Sequence, residues 1–400
     1  MASMAEPTGG DLPDVPMGDI LGEIPLFREI QRVLLASPGP VNWELARQVG
    51  IAVASWGAED QQPTQEDLAG FMQTVRAAEL ELKEFTGMPT PTHVVRVQLF
   101  RRTHWVEAST QGLRQLIDPV ADRLARAMSD TSGPMPIPSE AMGGNEQMME
   151  MLMQRMVPLL LGAQVGGLLG YLGQRALSQF DLAVPRPQGP LHFVLPNIAK
   201  FEKDWSLDPR EFRAWVSLHE VTHWFEFGGG WAEVQFLSIV RDLVDHAEID
   251  LSGLEQRLES LDFSDPQALS GAFEAMNDVF GHSDDPEQRL RIARVQSFMA
   301  AAEGYGDHVV EALGQRMLAS YSQVDEAVRR HREGRHGERT LERLLGIELR
   351  LEQYEAARAF CRRVSELTGE ETLAKMWGSA ESLPSMPELE EPTLWLSRMS

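Results

Sequence analysis

Asp208-Pro209-Arg210-Glu211-Phe212-Arg213-Ala214-Trp215-Val216-Ser217-Leu218-His219-Glu220-Val221-Thr222-His223-Trp224-Phe225-Glu226-Phe227-Gly228-Gly229-Gly230 is the stretch on which the reading of this chain turns. Asp208 is a good helix N-cap, and Pro209 suits the first helical position, where a missing N–H costs nothing. Phe212, Trp215, Val216 and His219 recur on one apolar stripe, and three glycines end the run. On such a helix His219 and His223 stand four residues apart on one face, so both imidazoles can reach one ion at about 2.0–2.1 Å. Two unpaired imidazoles on an apolar face would otherwise be costly. Glu220 is offset from the pair but can reach a metal-bound water as general base. The His-Glu-x-x-His spacing therefore predicts one Zn2+ per chain on His219 and His223, with Glu220 activating water. The glycine run is expected to open room beside that metal.

A catalytic zinc needs a third protein ligand and an open position for water. A histidine six residues after His223 cannot supply it, because that position is Gly229 and the glycine slot before it is Glu226. Asp245, His246 and Glu248 lie some way downstream and stay open as candidates. Glu303 fits better: Ile292, Val295, Met299, Gly306, Val310 and Leu313 follow helical spacing, and Glu303 falls inside that apolar stripe. A carboxylate there calls for a cation or several donors. Asp307, four residues on, is placed to accept the outer N–H of a ligand histidine and fix its tautomer. Tyr305 and His308 are candidate donors to a developing oxyanion.

Outward from this stretch the chain reads as mainly α with a small β component (α+β). Strand patterns are few: Val94 to Phe100 roughly alternates, and Leu191 to Leu195 is a short apolar run closed by Pro196. Thr64 and Asp67 suggest a capping box opening a helix towards Phe85, with Thr86-Gly87-Met88-Pro89 as its stop. The uncharged segment Met156 to Leu172 is short for a bilayer and diluted by Pro158 and several glycines, so no membrane span is expected. Gly162, Gly166 and Gly170 recur every four residues and give one smooth face for a closely packed neighbouring helix. Residues 1–19 read as a disordered tail and 20–398 as one domain, with a candidate mobile loop at 131–146.

The chain has 400 residues with 60 acidic against 36 basic side chains, a formal net charge of -24. Such a surface repels phosphate backbones, which argues against nucleic acid as a partner. One cysteine, Cys361, rules out an internal disulfide and a cysteine zinc cage. No signal-like apolar run opens the chain, so a cytoplasmic location is expected.

Short matches in a fixed order resemble a bacterial zincin-like family (zincin 2), first catalogued as a domain of unknown function. They begin with Asn42-Trp43 and Ala46, Thr86-Gly87 and Pro89, then Trp105-Val106-Glu107-Ala108. Gly170-Tyr171-Leu172-Gly173, Gln179-Phe180-Asp181 and Pro196-Asn197 precede the helix at Pro209. Glu303-Gly304 with His308, Leu345-Gly346, Gln353-Tyr354, Trp377, Leu383-Pro384, Pro392 and Trp395-Leu396 follow it. Members are labelled zinc-dependent metalloproteases or proteins associated with deazaflavin-coenzyme biosynthesis. The resemblance implies a zincin-like core around the His-Glu-x-x-His helix, with His219, His223 and Glu303 as ligands and Glu220 as the catalytic acid. It departs at Ser178-Gln179-Phe180-Asp181, where the family often carries Gly-Gln-Tyr-Asp.

The expected activity is zinc-dependent hydrolysis of a peptide or protein substrate. The alternative is a non-catalytic, zinc-stapled scaffold that binds a partner through its glycine-faced helix and the Met-rich run from Met142 to Met156.

Overall fold

Capping chemistry starts and stops the helices where the sequence marks them. The computed structural model describes residues 39–56, 60, 62–91, 95–131, 146–180, 184–185, 189–247, 285–333 and 349–400. Helix α1 (Trp43–Ser55) is capped by Asn42, whose side chain accepts from Leu45 N. Helix α2 (Gln65–Thr86) opens on a reciprocal capping box between Thr64 and Asp67 and closes on Gly87 at φ 68°, a left-handed conformation that suits glycine. Strand β1 (Val97–Phe100) leads into α3 (Arg102–Thr131) and α4 (Glu146–Gly173). Strand β2 (Leu191–Val194) runs straight into α5 (Leu195–Asp204), followed by α6 (Pro209–Phe227) and α7 (Trp231–Asp245). The remainder comprises α8 (Pro286–Met317), α9 (Tyr321–Glu333), α10 (Leu351–Thr368) and the short helices α11 (Glu370–Ala374), α12 (Met386–Glu390) and α13 (Pro392–Met399).

The two strands pair in parallel, Val97 opposite Leu191 through Phe100 opposite Val194, with α3 and α4 in the crossover. Ser178 adds an antiparallel bridge to Phe193 on the free side of β2. The chain is thus mainly α with a minor β component, as its periodicity foretells.

The glycine face of α4 packs on α1. A Cβ at Gly162 would lie 2.5 Å from Asn42 O, one at Gly166 2.6 Å from Ala46 O, and one at Gly170 2.4 Å from Val53 Cβ. Backbone meets backbone there, which only glycine permits. No helix among the described residues is long and apolar enough to cross a membrane.

Asp208 accepts from Arg210 N and Glu211 N and starts α6, and every residue from Trp215 to Phe227 is buried. A helix covered on all sides belongs to the core. Helices α2, α5, α7, α8 and α9 all pack against it. Arg213 fastens its first turns by reaching Glu202 on α5 at 2.8 Å and Asp67 on α2 at 3.2 Å.

The expected zincin-like core is corrected by this arrangement. The His-Glu-x-x-His helix exists, but no group of three His, Cys, Asp or Glu side chains able to hold a metal ion forms among the described residues. The expected tail at 1–19, the core of the 131–146 loop, the side chains of Met142 to Met156 and Glu248 lie outside the described residues.

Candidate functional site

Ring stacking along one face of α6 orients the two histidines. Phe212 and Trp215 stack at 6.2 Å, Trp215 and His219 at 5.4 Å, and His223 and Phe227 at 5.7 Å between centroids. His219 and His223 meet edge to face at 4.7 Å. These are contacts between residues three and four apart, so the sequence spacing alone produces the ladder. His219 is 6% exposed, and Glu220, His223 and Glu226 are wholly buried.

Buried polar groups need partners, and the partners here were not those foreseen. Glu220 Oε1 accepts from Ser178 Oγ at 2.5 Å, and Phe180 N donates to both carboxylate oxygens at 3.1 and 3.2 Å. His219 Nδ1 lies 3.6 Å from Glu220 Oε1. His223 Nδ1 lies 2.7 Å from Glu226 Oε2, one turn on. Burial alone would push the His223 imidazole down. The charge and hydrogen bond of Glu226, with Glu303 and Glu220 behind them, overcome that and raise it to about 9. Burial in turn pushes the Glu226 carboxyl up against the pull of His223. His223 Nδ1 carries the proton and donates to Glu226, because the contact is short and wholly desolvated.

Helix α8 closes the other side. Gly306 faces His223: a Cβ there would sit 3.0 Å from its Cε1 and 3.4 Å from its Nε2. Glu303, half-buried on the same helix, is close enough to act electrostatically on both His223 and Glu226. His223 Nε2 and Glu226 Oε1 are buried with no hydrogen-bond partner.

Of the expected site residues, the structure brings together His219, Glu220 and His223, with Glu303 nearby. The outer N–H role foreseen for Asp307 is filled at His223 by Glu226, and Asp307 lies 3.9 Å from Arg358. The Tyr305 hydroxyl is fully buried against Met88 Sδ at 3.3 Å, and His308 Nε2 sits 3.1 Å from both oxygens of Glu370. Asp245 and His246 are exposed at the end of α7, where His246 turns back to Asp242. Gly228 does not open a cleft, since a Cβ on it would lie 2.5 Å from Pro91 Cγ.

The single Zn2+ expected per chain is therefore corrected, and with it the metal-binding and metalloprotease reading of the motif. His219, His223 and Glu303 do not converge as a ligand set. Among the described residues no set of side chains fits a resident metal.

Sequence reasoning named Ser178 and Phe180 only within the family match and Gly306 only on the apolar stripe, placed none of them in the site, and saw Glu226 only as an occupied glycine slot. Glu226 carried a legible signal, a carboxylate three residues after His223 on a buried helix. Ser178 stood out only as a departure from the family's Gly-Gln-Tyr-Asp, and nothing local linked it to Glu220, 42 residues away.

No curated protein matches the chain in sequence. Among solved structures, a crystal structure from Chloroflexus aurantiacus, described as a "putative hydrolase with a novel fold", is 29% identical, with a TM-score of 0.63, covering 90% of this chain and 98% of that one. A fold described as novel is a second ground for withdrawing the zincin-like core. The sequence profile of the zincin-like metallopeptidases matches residues 41–396. That match runs through nearly all the described elements, and the chain belongs to the zincin-like metallopeptidase family.

Proposed function

We propose that the chain hydrolyses peptide or other amide bonds, with Glu220 taking a proton from the attacking water and His223 giving one to the departing amine. One observation carries this. A carboxylate held by two donors and a protonated imidazole with a partnerless buried Nε2 stand on adjacent turns of α6. Acid and base catalysis need groups of opposite proton-transfer character within reach of one bond. Amide hydrolysis is a reaction class that uses both in one cycle. Family membership and the neighbour described as a hydrolase support the same class.

A second reading, a binding scaffold without turnover, is favoured by the complete burial of Glu220, His223 and Glu226. One assay separates the two. Purified protein is incubated with quenched-fluorescent peptides of mixed sequence, and cleavage is followed for wild type and Glu220→Gln. The hydrolase reading expects turnover that falls about 100-fold or more in the variant. Equal rates in the two proteins would remove Glu220 from the chemistry, and no cleavage in either would favour the scaffold.

A further inference from the structure

We propose that Asn197, working with Arg102, is a positioning residue for the Glu220 carboxylate, acting through the segment that joins α4 to Ser178. The proposal rests on the reading of Glu220 as the proton-accepting group. Asn197 lies near the start of α5 and is 4% exposed. Its Nδ2 donates to Gly173 O at 2.9 Å and Ala176 O at 2.7 Å, and its Oδ1 accepts from Arg102 Nε at 2.6 Å. Gly173 is the last residue of α4, so the amide satisfies carbonyls that a helix end leaves open.

Two residues past Ala176 the chain reaches Ser178. Val194 N donates to Leu177 O at 2.8 Å from β2, and Trp105 Nε1 donates to Ser178 O at 3.1 Å from α3. Elements α3, α5 and β2 thus grip residues 173–178 through the carbonyls of that segment. Ser178 Oγ, at the end of that segment, and Phe180 N, two residues on, both donate to Glu220. A strut serving only to end α4 would not set two donors on one carboxylate. A glutamate has three side-chain torsions to fix, and proton transfer requires its oxygens within about 0.5 Å of place.

The test compares Ser178→Ala and Asn197→Asp, each alone and combined with Glu220→Gln, on the quenched-fluorescent peptides, together with crystal structures of the single variants. Asp at 197 keeps an acceptor for Arg102 but faces Gly173 O and Ala176 O without donors. Each single variant is expected to lower kcat by about 10–100-fold with KM within about threefold. In the Glu220→Gln background the same changes should alter the rate by less than about twofold, because their effect runs through that carboxylate. The crystals should show the Glu220 side chain displaced in both variants. Full losses persisting in the Glu220→Gln background, or Glu220 unmoved in the Asn197→Asp crystals, would overturn the proposal. If Asn197→Asp does not fold, Asn197→Ser, too short to span both carbonyls, is read in the same way. Should wild type cleave no peptide, the hydrolase reading fails by itself, and the position of Glu220 in the crystals still decides the strut.

Discussion

Glu226 shows how much one side chain can change the reading of a motif. It is wholly buried, and its Oε2 sits 2.7 Å from His223 Nδ1, so each group is the other's compensation for lost water. Removing one member of such a pair leaves a desolvated charge behind. Glu226→Ala is therefore expected to cost about 3–5 kcal/mol in a urea titration, and a loss below about 1 kcal/mol would contradict the pairing. Gly306 bears on the same imidazole from α8. Its Cβ position is 3.0 Å from His223 Cε1, tighter than ordinary contact, so Gly306→Ala should displace the ring or cost about 1–3 kcal/mol. The His219–Glu220–His223 cluster was legible because its geometry is local to one helix. Ser178, Asn197 and Gly306 were not, because each reaches α6 from a distant part of the chain.

The contrast between crowded and open glycines belongs to the scale of elements. Gly166 on α4 has no space for a side chain: a Cβ would meet Ala46 O at 2.6 Å and Val49 Cβ at 2.8 Å. Gly70 on α2 and Gly112 on α3 have nothing within 4 Å. Gly166→Leu should separate α1 from α4 and lower thermal stability sharply, whereas Gly70→Ala should raise stability by about 0.5–1 kcal/mol through helix propensity and unfolded-chain entropy. Melting curves of the two variants check both signs at once. The four-residue glycine recurrence predicted a close helix neighbour correctly, because a face without side chains lets two backbones approach. The partner, α1, could not be read from it, since smoothness carries no address. The room expected beside the glycine run is filled at Gly228, where a Cβ would lie 2.5 Å from Pro91 Cγ, whereas Gly230 has nothing within 4 Å.

Across the whole molecule, paired carboxylates tie the helices together and make stability depend on pH. Burial alone would raise Asp67 and Glu388, but Thr64 and Arg213 hold the first, and Arg398 and Ser385 the second, below their ordinary values. A folded-state pKa below the unfolded one stabilises above the unfolded value, and that contribution is lost as pH falls through the folded value. Glu388 joins α12 to Arg398 on α13 at 2.6 Å. Glu388→Gln should cost about 1 kcal/mol at neutral pH, and its difference from wild type should shrink towards zero as the pH drops from about 5 to 3. Thermal melts of both proteins across that range test it, and a difference that widens with acid would refute the assignment. Glu202 and Glu226, raised by burial, respond in the opposite sense, so the paired comparison is cleaner than the wild-type curve alone.

What the sequence determined by itself is whatever depends on neighbours within a turn or two. The caps at Thr64 and Asp208, the mainly helical content, the smooth face of α4 and the shared face of His219 and His223 follow from period and local hydrogen bonding. Only the tertiary structure decided what those faces meet. It set Ser178 and Phe180 N on Glu220, Glu226 against His223 in a fully desolvated interior, and Gly306 beside the imidazole, while leaving Glu303 outside any three-ligand cluster. The physical reason is that helical spacing fixes a direction in space, whereas metal binding and proton transfer depend on distances between side chains from separate elements. Packing sets those distances.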